Sequence, residues 1–230
     1  MKLQKITNPG ETAKRRYEDA CGTAHALDLL GERWALLVVR ELMFGPKRFS
    51  DLRADLPGIS ANVLTQRLEG LEASGIVMRR KLPPPASVAV YELTPWGYES
   101  GPIFETMGRW AARSPHHDPS QPISASSLML SFRTMFDPGR AAGFNASVGL
   151  AMEREGFLAC IADGRLSVSR ADDADNADTV IAGSPRALAA AVYGGLSIGL
   201  LGERGALEVR GSRAVAERFC TLFPLPPKVA

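Results

Sequence analysis

Residues 59–75, ISANVLTQRLEGLEASG, constrain this chain more than any other stretch, because their apolar and polar positions separate cleanly only on a helix. Leu64, Leu68 and Leu71 recur at the spacing of one buried helical face, whereas Asn62, Thr65, Gln66 and Glu69 fall on or beside the opposite one. Ser60 suits the N-cap, Ile59 can staple onto Leu64, Val63 rules out a capping box, and Gly75 supplies the stop. Upstream, residues 49–56 (FSDLRADL) predict a second short helix capped by Ser50 and ended by Pro57-Gly58. Two short helices across a tight turn also occur in many helical cores, so the next segment decides the reading. Ile76-Val77-Met78 runs into Arg79-Arg80-Lys81, Pro83-Pro84-Pro85 reverses the chain, and residues 88–93 return as a second strand. A basic hairpin after a two-helix unit predicts a wing that straddles a phosphate backbone.

Residues 24–42 (AHALDLLGERWALLVVREL), Arg48-Phe49, Asp51-Leu52, Ile59-Ser60, Leu64, Gln66-Arg67-Leu68, Leu71-Glu72, Gly75, Tyr91-Glu92-Leu93-Thr94-Pro95 and Gly97 together resemble the HxlR-type winged-helix regulators. The resemblance implies a small dimeric bacterial transcription factor with a recognition helix, a wing and a helical dimer interface. The candidate DNA-binding residues are Ser60, Asn62, Thr65, Gln66 and Arg67 on the helix, Arg48 before it, and Arg79, Arg80 and Lys81 on the wing. Cys21 aligns with a cysteine that some such regulators use as a thiol sensor, which makes it the candidate redox sensor. Gly22 stands after it where the family usually has proline. Lys14-Arg15-Arg16 can supply the positive neighbourhood that thiolate chemistry needs.

At 230 residues the chain is too long for that resemblance alone, and two domains are expected. The net charge is +2; up to Arg113 there are 16 Lys and Arg against 13 Asp and Glu, and beyond it 11 against 12. DNA affinity must therefore come from local clusters such as Arg79-Arg80-Lys81 and Lys47-Arg48. Cys21, Cys160 and Cys220 are widely separated and odd in number, which suggests neither a disulfide framework nor a zinc site. Apolar runs are interrupted before membrane-spanning length, and the polar first sixteen residues are not signal-like, so a cytoplasmic protein with no membrane partner is expected.

Residues 1–20 read as an N-terminal arm. Two helical patterns, residues 24–30 and 34–42, meet at Gly31, and the second is the expected central core helix. Thr94 and Pro95 open a further helix whose stripe of Ile103, Phe104, Met107, Trp110 and Ala111 exceeds what a small winged domain can cover. Phe104, Met107 and Trp110 are therefore the candidate homodimerisation residues. Residues 114–126 form a linker in which Pro115, Pro119 and Pro122 forbid a continuous helix, and the adjacent His116-His117 pair lacks a third metal ligand.

Beyond the linker the pattern turns to strands at residues 128–136, 144–150, 157–161, 165–169 and 179–181, with Asp163-Gly164 carrying a two-residue hairpin signature. An antiparallel sheet is expected. Ser184-Pro185 opens a helix that stops at Gly194-Gly195, residues 205–211 frame a strand, and Ser212 caps a last helix. Residues 179–185 (TVIAGSP), Leu188, Tyr193-Gly194-Gly195-Leu196 and residues 205–211 (GALEVRG) resemble the second half of sterol-carrier-protein-like domains. That resemblance implies a sheet covered by helices around an apolar cavity, without naming the ligand or the residues that would bind it. Small residues at Ala189, Ala190, Gly194 and Gly195 leave room for a ligand or pack helix closely on sheet.

No nucleophile elbow, phosphate-binding loop or metalloprotease helix is present, and the Asp172–Asp178 run lacks the glycine and glutamate of a calcium loop. No catalytic residues, metal site or cofactor are expected, and an enzyme is not. The expected fold class is α+β: a winged helix-turn-helix domain at residues 21–113 and a sterol-carrier-like domain at residues 127–230. The corresponding function is a homodimeric regulator that binds double-stranded operator DNA and responds to an apolar small-molecule effector at its C-terminal domain. The alternative is a hydrophobic-ligand carrier whose winged module serves as an interaction platform.

Overall fold

The structure is a computed structural model, and it describes residues 17–84, 87–171 and 174–229. Most of the expected N-terminal arm with Lys14-Arg15-Arg16, Pro85 of the expected wing tip, and Asp172 and Asp173 lie outside the described residues. The N-terminal half runs α1 (Gly22–Leu30), α2 (Ala35–Leu42), α3 (Phe49–Asp55), α4 (Ala61–Ala73), β1 (Val77–Lys81), β2 (Ala89–Leu93), α5 (Pro95–Tyr98) and α6 (Gly101–Ala112). Helix α2 is central because Val38, Val39 and Leu42 are fully buried and meet Leu52 of α3, Leu64 and Leu68 of α4 and Leu93 of β2 in one core. Burying each such side chain contributes about 1.5–3 kcal/mol, which fixes the two-helix unit against α2.

Two local expectations are corrected here. Arg48, not Ser50, occupies the N-cap of α3, and Ser50 lies inside the first turn with its hydroxyl 3.2 Å from the Asp51 carboxylate. Thr94 does cap a helix, its Oγ1 accepting from the Gly97 amide at 3.0 Å, but that helix ends at Tyr98. Pro102 has no N–H to continue the ladder, so α6 begins afresh at Gly101.

The C-terminal half contains α7 (Ala125–Met135), β3 (Ala146–Met152), β4 (Glu155–Ala162), β5 (Arg165–Arg170), β6 (Thr179–Gly183), α8 (Pro185–Val192), α9 (Ile198–Glu203), β7 (Leu207–Gly211) and α10 (Arg213–Cys220). Of residues 128–136, expected as a strand, 128–135 belong instead to α7 and Phe136 is its C-cap. Ser124 caps that helix by accepting from the Ser127 amide at 3.1 Å, and Leu128, Met129, Phe132 and Met135 are spaced for one helical face. Helix α9 was not anticipated; Ser197 caps it and Ile198 and Leu201 anchor it.

The sheet has the order β5-β4-β3-β6-β7 and is mixed rather than antiparallel, because β3 and β6 run parallel. The chain leaves β5 at one edge, crosses over, and enters β6 beside β3 in the direction β5 was travelling. Asp178 pins that crossover, its carboxylate accepting from the Ser147 amide at 2.7 Å and the Ser147 hydroxyl at 2.8 Å. Between β4 and β5, Asp163 and Gly164 both take positive φ, 50° and 70°, as a two-residue hairpin of that composition requires.

A single cluster of buried side chains extends from Leu30 to Phe223 and spans both halves. Helix α7 bridges them: it packs on α2 and α6 on one side and on α8 and β5 on the other. Phe132 of α7 stacks on Phe223 at 4.4 Å and meets Phe219 of α10 edge-on at 5.5 Å, closing the space between sheet and helices with aromatic rings. The tail then returns to the N-terminal half, where Lys228 Nζ donates to the carbonyls of Ala112, Ser114 and His117 and the Val229 amide donates to Arg113.

Candidate nucleic-acid interface

Helix α4 presents the surface its sequence prescribes. Leu64, Leu68 and Leu71 are buried, Asn62, Thr65 and Gln66 are exposed, and Gly75 stops the helix with φ of +70°. Ser60 is the N-cap, its Oγ accepting from the Val63 amide at 3.3 Å, so this hydroxyl already serves the helix end that would face a phosphate. Arg67 stands apart from its neighbours. It is half-buried and ion-paired with Glu32 at 3.1 Å, on the side of α4 that faces the turn between α1 and α2.

The wing is the β1–β2 ribbon, with Val77 paired to Leu93 at its base and Lys81 to Ala89 near its tip. Alternation puts Arg79 and Lys81 on one face and Arg80 on the other. The Arg79 guanidinium lies 5.9 Å from the centre of the Tyr91 ring, and Arg80 pairs with Glu92 at 2.6 Å. Both cations stay exposed while being oriented from below, and Lys81 extends beyond them.

Lys47 and Arg48, grouped together in the sequence, separate completely. Arg48 is exposed at the start of α3, but Lys47 is only 2% exposed and unavailable to DNA, which corrects its place in that cluster. The Lys47 ammonium lies 2.6 Å from Asp55 of α3, 3.1 Å from Glu155 of β4 and 3.3 Å from Glu41 of α2. Burial disfavours its charge, yet Glu41, Glu155 and Asp55 outweigh that and hold its pKa above the ordinary lysine value. The Lys47 backbone meanwhile exchanges hydrogen bonds with Tyr91 of the wing at 3.0 and 2.9 Å.

Around this lysine, Arg40 chelates Glu41, Arg154 reaches Asp55 at 2.6 Å, Arg170 pairs with Glu155 and donates to the Pro46 carbonyl, and Ser124 donates to Glu41 at 2.7 Å. One buried ionic cluster thus joins α2, α3, the wing, the start of α7 and β4. Sequence reasoning missed it. The signal was Glu41 in the ALLVVREL helix, whose other residues apart from Arg40 are apolar; a buried carboxylate there demands cationic partners that the sequence alone does not identify.

The stripe on α6 divides in two. Phe104 is 6% exposed and packed within its own chain's core, a correction to its assignment as a dimer contact: α7, expected as a strand, is the helix that covers it. Ile103, Met107 and Trp110 stay exposed, Trp110 by 74%. Cys21 is exposed at the N-cap of α1, where the Thr23 backbone amide, then the Ala24 amide and the Thr23 hydroxyl, hold its thiol below the ordinary value. Cys220 is the opposite case, pushed up to about 12 by burial and then by Glu217. Among the described residues, no helix is long and apolar enough to cross a membrane.

Two short helices in series, a basic ribbon after them and α2 beneath define a winged helix-turn-helix module of the transcription-regulator class. The model of the HxlR-like helix-turn-helix family matches residues 29–118. The uncharacterized HTH-type transcriptional regulator YvaP of Bacillus subtilis (strain 168) is 40% identical over 86 residues, 37% of this chain and 80% of that protein. The HTH-type transcriptional regulator YodB of the same organism is 41% identical over 86 residues, 37% of this chain and 77% of that protein. A solved structure of the reduced form of YodB is 37% identical and covers 43% of this chain and 98% of that chain, with a TM-score of 0.39. The chain belongs to the HxlR-like helix-turn-helix family, and its N-terminal part is a transcriptional-regulator domain of the kind that binds DNA.

Proposed function

We propose that the chain acts as a homodimeric operator-binding regulator whose C-terminal half, a sterol-carrier-like domain, takes an apolar effector that alters DNA affinity. The observation that carries this reading is the Lys47 cluster, which ties Asp55 of the helix-turn-helix and Tyr91 of the wing to Glu155 of the C-terminal sheet. A ligand that favours one arrangement of the sheet relative to α3 would shift the DNA-competent population, and operator DNA would change ligand affinity by the same factor. In this reading Asn62, Thr65 and Gln66 contact base edges, while Arg48, Arg79, Arg80 and Lys81 contact phosphates. Ser60 and Arg67 act mainly by fixing α4, given their existing partners. Ile103, Met107 and Trp110 form the two-fold contact that sets the spacing of the two recognition helices.

The test is a titration of duplexes drawn from the DNA flanking the chain's own gene, with wild type beside Gln66→Ala and the triple Arg79→Ala, Arg80→Ala, Lys81→Ala variant. Selectivity relaxed at one base position in the first variant and binding weakened for all duplexes alike in the second support the reading. Indifference to sequence in wild type favours the hydrophobic-ligand carrier. A thiol-sensing role for Cys21 is a second reading, favoured by its exposure and its depressed pKa at the start of α1.

A further inference from the structure

The expected place for an apolar ligand, between sheet and helices of the C-terminal half, is filled by Phe132, Phe157, Phe219 and Phe223, all buried. A different space is open. Where α2 and α6 of the N-terminal half meet α7 and α8, the structure leaves a cavity of about 550 Å³. Its walls include Leu37 of α2, Phe104 of α6, Leu130 of α7 and Ala189 of α8, with Leu225 of the returning tail. Trp110 and His117, both exposed, mark its solvent side. The size falls within the roughly 300–1,000 Å³ usual for small-molecule sites.

Polar groups interrupt the apolar lining: Ser127 and His117, Arg40, whose guanidinium already donates to Glu41, Thr134, whose hydroxyl donates to the Leu130 carbonyl, and a pair of hydroxyls. The Tyr193 hydroxyl and Ser131 hydroxyl are 2.7 Å apart, and both residues line the cavity. Each hydroxyl retains hydrogen-bonding capacity beyond that shared bond, so the pair can meet one donor or acceptor on a ligand. Burial pushes the Tyr193 phenol up, so it stays neutral and offers no charge to a counter-ion.

The geometry points to this cavity as the binding site for a small, uncharged, largely apolar molecule with a single hydroxyl or amine directed at Ser131 and Tyr193. A second copy of the chain is the less fitting occupant. The lining comes from four helices, the linker and the tail rather than from one projecting face; the outer face of α6, with Pro102, Ile103 and Thr106, adjoins the cavity and shares only Met107 and Trp110 with it. Because the walls come from both halves, occupancy acts on the seam through which the proposed regulation passes. The inference rests on that proposed function and moves its effector site from the interior of the C-terminal half to the seam; its test needs no DNA, so failure here and failure of operator binding are separate results.

The probes are 1-naphthol and naphthalene, titrated calorimetrically into the full chain. Gly108 lines the cavity on α6, and a β-carbon there would meet only the Thr134 methyl at 3.8 Å, so Gly108→Leu puts its side chain at the cavity wall. Replacing a helical glycine also favours the helix, and circular dichroism checks that the variant is folded. Wild type is expected to bind 1-naphthol, and Gly108→Leu to bind it about tenfold more weakly or worse, because the site's volume is gone. Tyr193→Phe is expected to weaken 1-naphthol by about two- to tenfold while leaving naphthalene unchanged, the signature of one lost hydrogen bond. No binding of 1-naphthol to wild type, or equal binding to Gly108→Leu, overturns the assignment. A Gly108→Leu protein that binds the probe normally but changes association state in sedimentation would give the cavity to a second copy instead.

Discussion

Replacing Lys47 by methionine removes a cation that touches all three carboxylates of the seam while nearly preserving side-chain volume. Glu41 and Lys47 are almost wholly buried, and the Asp55 and Glu155 side chains retain only 10% and 14% of their exposure. Removing one partner from a buried ionic group costs about 3–5 kcal/mol, since the remaining charge stays desolvated without its counter-ion. Arg40, Arg154 and Arg170 still neutralise Glu41, Asp55 and Glu155 respectively, which places the expected loss near the lower end, about 3 kcal/mol. For a chain of this length that corresponds to a melting temperature lowered by about 6–12 °C. The loss is measurable by calorimetry or by urea denaturation followed by circular dichroism.

Adding Glu41→Gln to Lys47→Met is expected to recover part of the stability, because it removes a carboxylate left without its lysine. The pH dependence has a definite sign. Lys47 is held above the ordinary value of 10.5, so its contribution is complete below that value and is lost only as pH rises through the higher folded pKa. The wild-type advantage over Lys47→Met should thus persist through neutral pH and shrink in strong alkali. A destabilisation below about 1 kcal/mol at neutral pH would refute the reasoning, since it would make the cluster no stronger than a surface ion pair.

Gln66→Ala is expected to cost about 1–3 kcal/mol of operator binding and to relax selectivity at one base position, read by competition among single-base variants of the operator. The triple change at Arg79, Arg80 and Lys81 should weaken all duplexes alike and flatten the salt dependence, and a slope unchanged from wild type would remove the wing from the phosphates. Trp110→Asp should shift sedimentation from dimer to monomer while circular dichroism shows a folded chain, since Trp110 contributes little to its own core. Iodoacetamide should label Cys21 at lower pH than Cys220, whose thiol is pushed up to about 12, and simultaneous labelling would contradict the assigned environments.

The N-terminal half was legible because its constraints are local. The leucine spacing of α4, the Ser60 cap and the Gly75 stop each act within a few residues, and the same short range made Asp163-Gly164 readable as a hairpin. What failed depends on distant partners. Residues 128–136 have an apolar run that suits strand or helix, and their helical state is settled by Ser124 and by packing between α2, α6 and α8. Phe104 read as surface because the helix that buries it lies past the linker. The parallel pairing of β3 with β6 follows from a crossover held by Asp178 on Ser147, thirty-one positions apart. Lys47 was misplaced for the same reason: beside Arg48 it looks like a phosphate contact, and only the fold brings Glu155 to it.

The central claim joins DNA recognition to the C-terminal half through the seam. Its most direct measurement is operator affinity by fluorescence anisotropy, with a fragment from the chain's own upstream region, in the absence and presence of saturating 1-naphthol. A shift of about 5- to 150-fold in the dissociation constant, abolished by Gly108→Leu, is the expected result. An operator dissociation constant unmoved at saturation, with the probe demonstrably bound, would contradict the account.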